Sequence, residues 1–358
     1  MTSANHPVPK HRATGKVLTV LGPIEPARVG ITLTHEHLFI DFRPVFKEPE
    51  GATDKHLARE KVTLENLGWV RYNWNSNGDN LQILDEAVTV REANAFHRAG
   101  GSTIVDVTSI GLARDPNALV RVARSTGLNV VMGAGYYIGN THSDWLKAAP
   151  VDAIAATIVR DIDKGVGETG VRSGIIGEIG CSWPWTESEK KSLHAAVIAQ
   201  NETGAPLLIH PGRNEKAPLE LLNAVAKWGG DVSRTVVGHI ERTIYDRSVL
   251  SETAQTGAYL NFDLFGHDSS YYPFAPETYM PGDHERIAML EAVIAMGKTD
   301  RILLAHDICS KHRLKTYGGH GWDHLVSNVA PRIRLKGFTE EQIRMVFVDN
   351  PTRMLTFR

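Results

Sequence analysis

Past residue 100 the chain alternates between two periodicities. Short apolar runs rich in β-branched residues are each followed by a longer stretch of helical spacing, with Gly or polar turns between them. The runs are STIVDVTS (102–109), NVVMGAGYY (129–137), SGIIGEIG (173–180), APLLIHPG (205–212), TVVGHIE (235–241), AYLNFD (258–263) and RILLAHD (301–307). The helices between them carry their own end signals. Asp115 stands before Pro116 as an N-cap, and Gly127 stops that helix. Thr186 with Glu189 three residues on reads as a capping box, and that helix ends at Gly204. Nearly all-apolar strands, each followed by a helix, predict a parallel sheet buried on both faces. An earlier run, LTHEHLF (33–39), supplies an eighth strand, the number that closes a (β/α)8 TIM barrel in a single domain over residues 16–358.

Residues 16–32 precede the first strand, and GPIEPARVG is expected to be the turn of an N-terminal hairpin over the barrel floor. Residues 42–85 form a long insertion after strand 1, on the catalytic face of a barrel, whose tryptophans could serve an interface or a substrate pocket. The rival architecture, an open nucleotide-binding sheet, lacks a G-x-G-x-x-G turn: GAGYYIGN (133–140) has no clean helix start after it.

Composition narrows the functional classes. The chain has 358 residues, 42% hydrophobic and 22% charged, with a net charge of -2, so no basic excess suggests nucleic acid. No apolar run approaches a membrane span. Two cysteines, Cys181 and Cys309, exclude a disulfide framework and fit a reducing, cytoplasmic setting. Residues 1–15 read as a loose polar tail with no signal-peptide pattern.

The candidate chemistry lies where ionisable groups interrupt the strands. His35 and His37 alternate on a strand, so both imidazoles share one face and Glu36 aims away. On that fragment alone, a metal site and a pair of hydrogen-bonded core histidines are equal readings. Glu178 sits near the end of GIIGEIG, His210 ends PLLIH, His239 ends TVVGH, and Asp307 ends ILLAHD. A lone histidine at a strand end is usually a rim residue. Six metal-competent groups on five strands, all at the C-terminal mouth, point to a built site.

With these motifs in place, the sequence resembles the phosphotriesterase-like family of the amidohydrolase superfamily. The resemblance runs from about Gly15 onward. It rests on GPIEPARVGITLTHEHL, STIVDVT, GVRSGIIGEIG, TGAPLLIHPG, VVGHIERT, RILLAHD and the terminal VDNPTRML. It implies two divalent metal ions, zinc first, with manganese, cobalt or iron as alternatives. His35, His37 and Asp307 would hold one ion and His210 and His239 the other. Many relatives bridge the two ions with a carboxylated lysine. Here that position is Glu178, as in the branch of phosphotriesterase homology proteins. Two ions sharing a water lower its pKa to about 7, and the resulting hydroxide attacks the substrate. Asp307 would shuttle the proton, and the Tyr137 hydroxyl would orient the substrate oxygen.

The substrate candidates are weaker. Arg242 could hold a loop carboxylate or the substrate. Asp263 could stand behind the ligands, cap a loop or reach the substrate. The loop 308–325 concentrates Lys311, Arg313 and Lys315, an anion pocket on one reading and a solvated basic loop on the other. His306, His194 and Cys309 read as packing residues. The resemblance favours hydrolysis of a lactone or related ester. Phosphotriester hydrolysis is the alternative, and a non-catalytic ligand-binding barrel is the alternative of another class. A small-molecule substrate, anionic on the pocket reading, and a homodimer complete the expectations.

Overall fold

The computed structural model describes residues 13–268 and 272–358, so most of the tail expected over 1–15 lies outside the described residues. Eight strands form one parallel sheet in sequence order. They are Thr32–Glu36 (β1), Thr103–Asp106 (β2), Asn129–Ala134 (β3), Ile175–Gly180 (β4), Leu207–His210 (β5), Thr235–Val237 (β6), Tyr259–Phe262 (β7) and Ile302–Leu304 (β8). The first and last strands meet. The Asp307 amide donates to the His35 carbonyl, and the Thr34 hydroxyl donates to the Leu304 carbonyl. The sheet is a barrel. The capping signals also hold: Asp115 accepts from the Ala118 amide, Thr186 and Glu189 form the capping box, and Gly127 and Gly204 are left-handed.

The strands are apolar throughout because both faces pack. In β5, Leu207 and Ile209 face the outer helices, whereas Leu208 points inward with Val105, Val131, Ile175, Val236 and Leu303. Met354 and Leu355 of the C-terminal helix and Val17 of the hairpin seal that inner layer from below. His210 follows Leu208 by two residues, so the alternation that fills the barrel also aims this imidazole along its axis.

The hairpin turns elsewhere than expected. It pairs Val17–Thr19 with Gly22–Ile24 around Val20 and Leu21, and the proline-rich segment runs on into a 3-10 turn at Pro26–Arg28. In the 42–85 insertion, Trp74 is buried and stacks on Phe42 with centroids 6.3 Å apart, so it faces inward and offers no interface. Cys181 and Cys309 are free thiols. Among the described residues, no helix is long and apolar enough to cross a membrane.

The seam between β1 and β8 depends on one buried carboxylate. Glu36 Oε1 accepts from the His306 amide and from His306 Nδ1, both at 2.7 Å, and Oε2 accepts from the Ile308 amide at 3.1 Å. His306 Nε2 accepts from the Leu325 amide, which fixes the tautomer and makes this residue a tie between strand and loop as well as packing. Glu36→Gln turns one acceptor into a donor facing N–H groups. The expected cost is about 2 kcal/mol, read as a lowered urea midpoint with the slope unchanged.

Candidate metal centre

All six groups singled out at the strand ends come together at the C-terminal mouth. β6 and β8 end earlier than their sequence runs, so His239 and Asp307 stand just past the strands. Both adopt positive φ, 55° and 51°, a conformation that non-glycine residues rarely take. Such strain persists where the surroundings fix a side chain for a task. Arg313 supplies part of that grip by donating to the carbonyls of His306 and Asp307.

Glu178 lies between two pairs of imidazoles. Its Oε1 is 3.4 Å from His37 Nε2, and its Oε2 is 3.5 Å from His35 Nε2. The same Oε2 is 2.8 Å from His210 Nδ1 and 3.5 Å from His239 Nε2. Asp307 Oδ1 is 3.1 Å from His37 Nε2 and 3.8 Å from His35 Nε2. Three overlapping triads arise, each with ligand atoms within 4.8 Å of one another: His35–His37–Glu178, His35–His239–Asp307 and Glu178–His210–His239.

The donor set suits a cation. Asp263 accepts from His239 Nδ1 at 2.8 Å and lies 2.9 Å from His35 Nδ1. With those nitrogens protonated, both Nε2 atoms turn lone pairs inward, and His35 Nε2 has no hydrogen-bond partner. His239 Nε2 meets His210 Nδ1 at 2.8 Å. Carboxylate oxygens and imidazole lone pairs converge, and a positive ion satisfies them all. The electrostatics agree. Burial disfavours charge on His37, yet Asp307 and Glu178 hold its pKa up to about 9. Burial likewise opposes an ionised Glu178, yet His35 and His210 hold it well below the usual carboxylate range. The site draws positive charge against its own desolvation. His210 goes the other way: burial and the neighbouring His239 keep it neutral, the form that ligates.

Asp263 is fully buried behind the two imidazoles and does not reach the cavity, so it is no substrate contact. It also accepts the His239 amide. One carboxylate thus orients ligands from two strands. Asp263→Asn is expected to weaken metal retention by about 10–100-fold, measured as ions per chain after dialysis against graded chelator.

The other candidates separate. Tyr137 is buried beside His210, ring centroids 5.0 Å apart, and lines the cavity over the cluster. Burial and the charge of Glu178 push its hydroxyl pKa well up, so it keeps its proton. Arg242 and Cys309 line the same cavity. Lys311 and Lys315 do not line it: they pair with Asp79 and Asp323, because the loop folds back onto acidic partners. Arg313 lines the cavity, but its guanidinium is occupied by backbone carbonyls. His194 stacks on Trp228 at 4.6 Å, as packing. Sequence reasoning missed Arg213, His267, Tyr272 and Phe274, all lining this cavity. A basic residue three positions after His210, and aromatics after β7, were the available signals.

A (β/α)8 barrel that gathers four imidazoles and two carboxylates at its strand C-termini has the architecture of a metal-dependent hydrolase. The chain belongs to the phosphotriesterase family, whose model matches residues 15–355, and it is a hydrolase of that family. A phosphotriesterase-related protein of Nematostella vectensis is 42% identical over 348 residues, covering 96% of this chain and 99% of its own. The N-acetyltaurine hydrolase of Homo sapiens is 41% identical over 346 residues, covering 96% of this chain and 99% of its own. A resiniferatoxin-binding protein from Rhodobacter sphaeroides superposes with a TM-score of 0.93 at 35% identity, covering 97% of each chain. A lactonase from Listeria monocytogenes, 23% identical with a TM-score of 0.77 and covering 96% of this chain and 99% of its own, shares the fold.

Proposed function

We propose that this protein is a binuclear metal-dependent hydrolase that cleaves a short acyl amide, of the kind named for its N-acetyltaurine hydrolase relatives, into a carboxylate and an amine. The observation that carries the reading is Glu178 standing between two imidazole pairs, with Asp307 beside them. His35, His37 and Asp307 would hold one ion, His210 and His239 the other, with Glu178 shared. When bound, the ions supply Lewis acidity and water ionised near neutral pH.

The chain's own groups do the rest. The Tyr137 hydroxyl is a buried donor available to the substrate carbonyl oxygen. An amide leaves only as a protonated amine, so the reaction needs a group that takes a proton from the attacking water and returns it to nitrogen. Asp307 is the more exposed of the two cluster carboxylates, with 14% of its side chain accessible against 3% for Glu178. That exposure supports Asp307 as the group that makes the transfer.

The lactone expected from the family resemblance requires no such return of a proton to nitrogen. The test is turnover by metal-loaded protein of N-acetyltaurine, a lactone panel and an aryl dialkyl phosphate. Faster turnover of the amide is expected. Faster turnover of lactones would overturn the substrate assignment, and no turnover of any would remove the hydrolytic reading. Elemental analysis of the same sample gives ions per chain, with two expected.

A further inference from the structure

We propose that Arg213 and Arg242 form an anion clamp in the wall of the active-site cavity, reading a sulfonate or carboxylate carried on the amine side of the substrate. The proposal deepens the amide-hydrolase reading and rests on it for the identity of the two product halves. It relocates the anion site that the sequence places in the loop after β8.

Arg213 follows β5 and is half-buried. Its Nε donates to the Tyr272 hydroxyl at 2.7 Å, and its guanidinium lies over the Phe274 ring at 4.4 Å. Among the described residues, its terminal nitrogens have no hydrogen-bond partner. Arg242 follows His239 on the short helix Ile240–Thr243 and is only 4% exposed. It donates to the Thr243 hydroxyl at 3.0 Å and the Pro211 carbonyl at 3.1 Å. Neither arginine meets a carboxylate among the described residues. Buried arginines elsewhere are satisfied in one of two ways: Arg114 and Arg286 pair with Asp161 and Asp283, at 2.7 Å and 2.8 Å, whereas Arg234 and Arg313 donate to backbone carbonyls.

Two guanidinium groups in one cavity, one buried and one half-buried and neither in contact with a carboxylate among the described residues, favour an anion that joins them. Tyr272 and Phe274 hold the Arg213 plane in place, so its free edge is pre-organised for paired N–H···O bonds to an oxyanion. The cavity therefore has an acceptor-rich end at the cluster and a cationic wall. A substrate with a short acyl end and an anionic tail matches both.

Arg213 is the residue to test, because Arg242 Nη2 also lies 3.3 Å from His210 Nε2 and its loss would disturb the cluster. Calorimetric titration of metal-loaded protein with propane-1-sulfonate, butyrate and propan-1-ol separates charge from shape. At least one anion is expected to bind and the alcohol not, and the tighter anion identifies which oxyanion the wall prefers. Arg213→Gln is expected to weaken anion binding by about 10–100-fold, with partial recovery in Arg213→Lys. Tyr272→Phe, which removes only the hydroxyl that holds Arg213, is expected to give a smaller loss. Metal content and circular dichroism confirm that each variant is folded and loaded. Equal anion affinity in wild type and Arg213→Gln, or alcohol binding as tight as the anions, overturns the clamp. Arg213-dependent binding without turnover of N-acetyltaurine keeps the clamp and removes the amide reading.

Discussion

Asp307→Asn is expected to lower kcat by about 10³-fold while the barrel stays folded. Asparagine keeps the volume and hydrogen-bonding shape of the side chain, so the backbone at φ 51° and the Arg313 bonds to the carbonyls of residues 306 and 307 survive. What disappears is the negative charge 3.1 Å from His37 Nε2 and the capacity to take a proton. Two measurements separate those losses. If elemental analysis shows the ion content halved, Asp307 acts chiefly as a ligand. If the content is unchanged and only kcat falls, it acts chiefly on the proton. A barrel that merely binds a small molecule would keep its ligand affinity in this variant. Turnover within tenfold of wild type would remove Asp307 from the chemistry altogether.

Much of this site can be read in the sequence because barrel geometry converts strand position into depth. His210 and Leu208 share an inward face by simple alternation, so a polar residue at the end of an apolar run marks the mouth. Glu178 is legible for the same reason, since an apolar strand offers a carboxylate nothing local to bond. What alternation does not encode is pairing between distant loops. Lys311 and Lys315 look like a pocket when counted along the chain. In space Lys311 meets Asp79, 232 residues away, and that insertion follows its own path across the barrel mouth. Asp263 carries the reverse lesson. One carboxylate after β7 serves imidazoles from β1 and the β6 loop, a relation visible only once strands 1, 6 and 7 are placed around a ring. Arg213 escapes notice because a lone arginine in a turn is ordinarily solvated. Its significance comes from the lack of an acidic partner among the described residues, which is a property of the folded state.

The largest loss of stability is expected from Arg286→Met, about 3–5 kcal/mol, because it strands charges that the fold has buried. Arg286 is fully buried on the helix Asp283–Ala295. Its Nη1 donates to Asp283 at 2.8 Å, its Nη2 to the His267 carbonyl at 2.8 Å, and its Nε lies 3.5 Å from Glu241 Oε1. Glu241 in turn accepts the Leu264 amide. Burial and the charge of Asp263 push the Glu241 carboxyl up to about 7, with Arg286 pulling against them. Removing Arg286 raises that value further, so the folded variant binds a proton that the unfolded chain releases. A carboxyl whose folded pKa exceeds its unfolded value loses stability as pH rises between the two. The melting temperature should therefore fall more at pH 8 than at pH 5, where Glu241 is protonated with or without its partner. A deficit equal at both pH values would place the cost on Asp283 and the lost bond to His267 alone. The same strut reaches function, because the tethered Leu264 amide and His267 carbonyl bracket a segment that lines the cavity. A loosened segment should raise KM more than it lowers kcat, since His267 belongs to none of the three ligand triads.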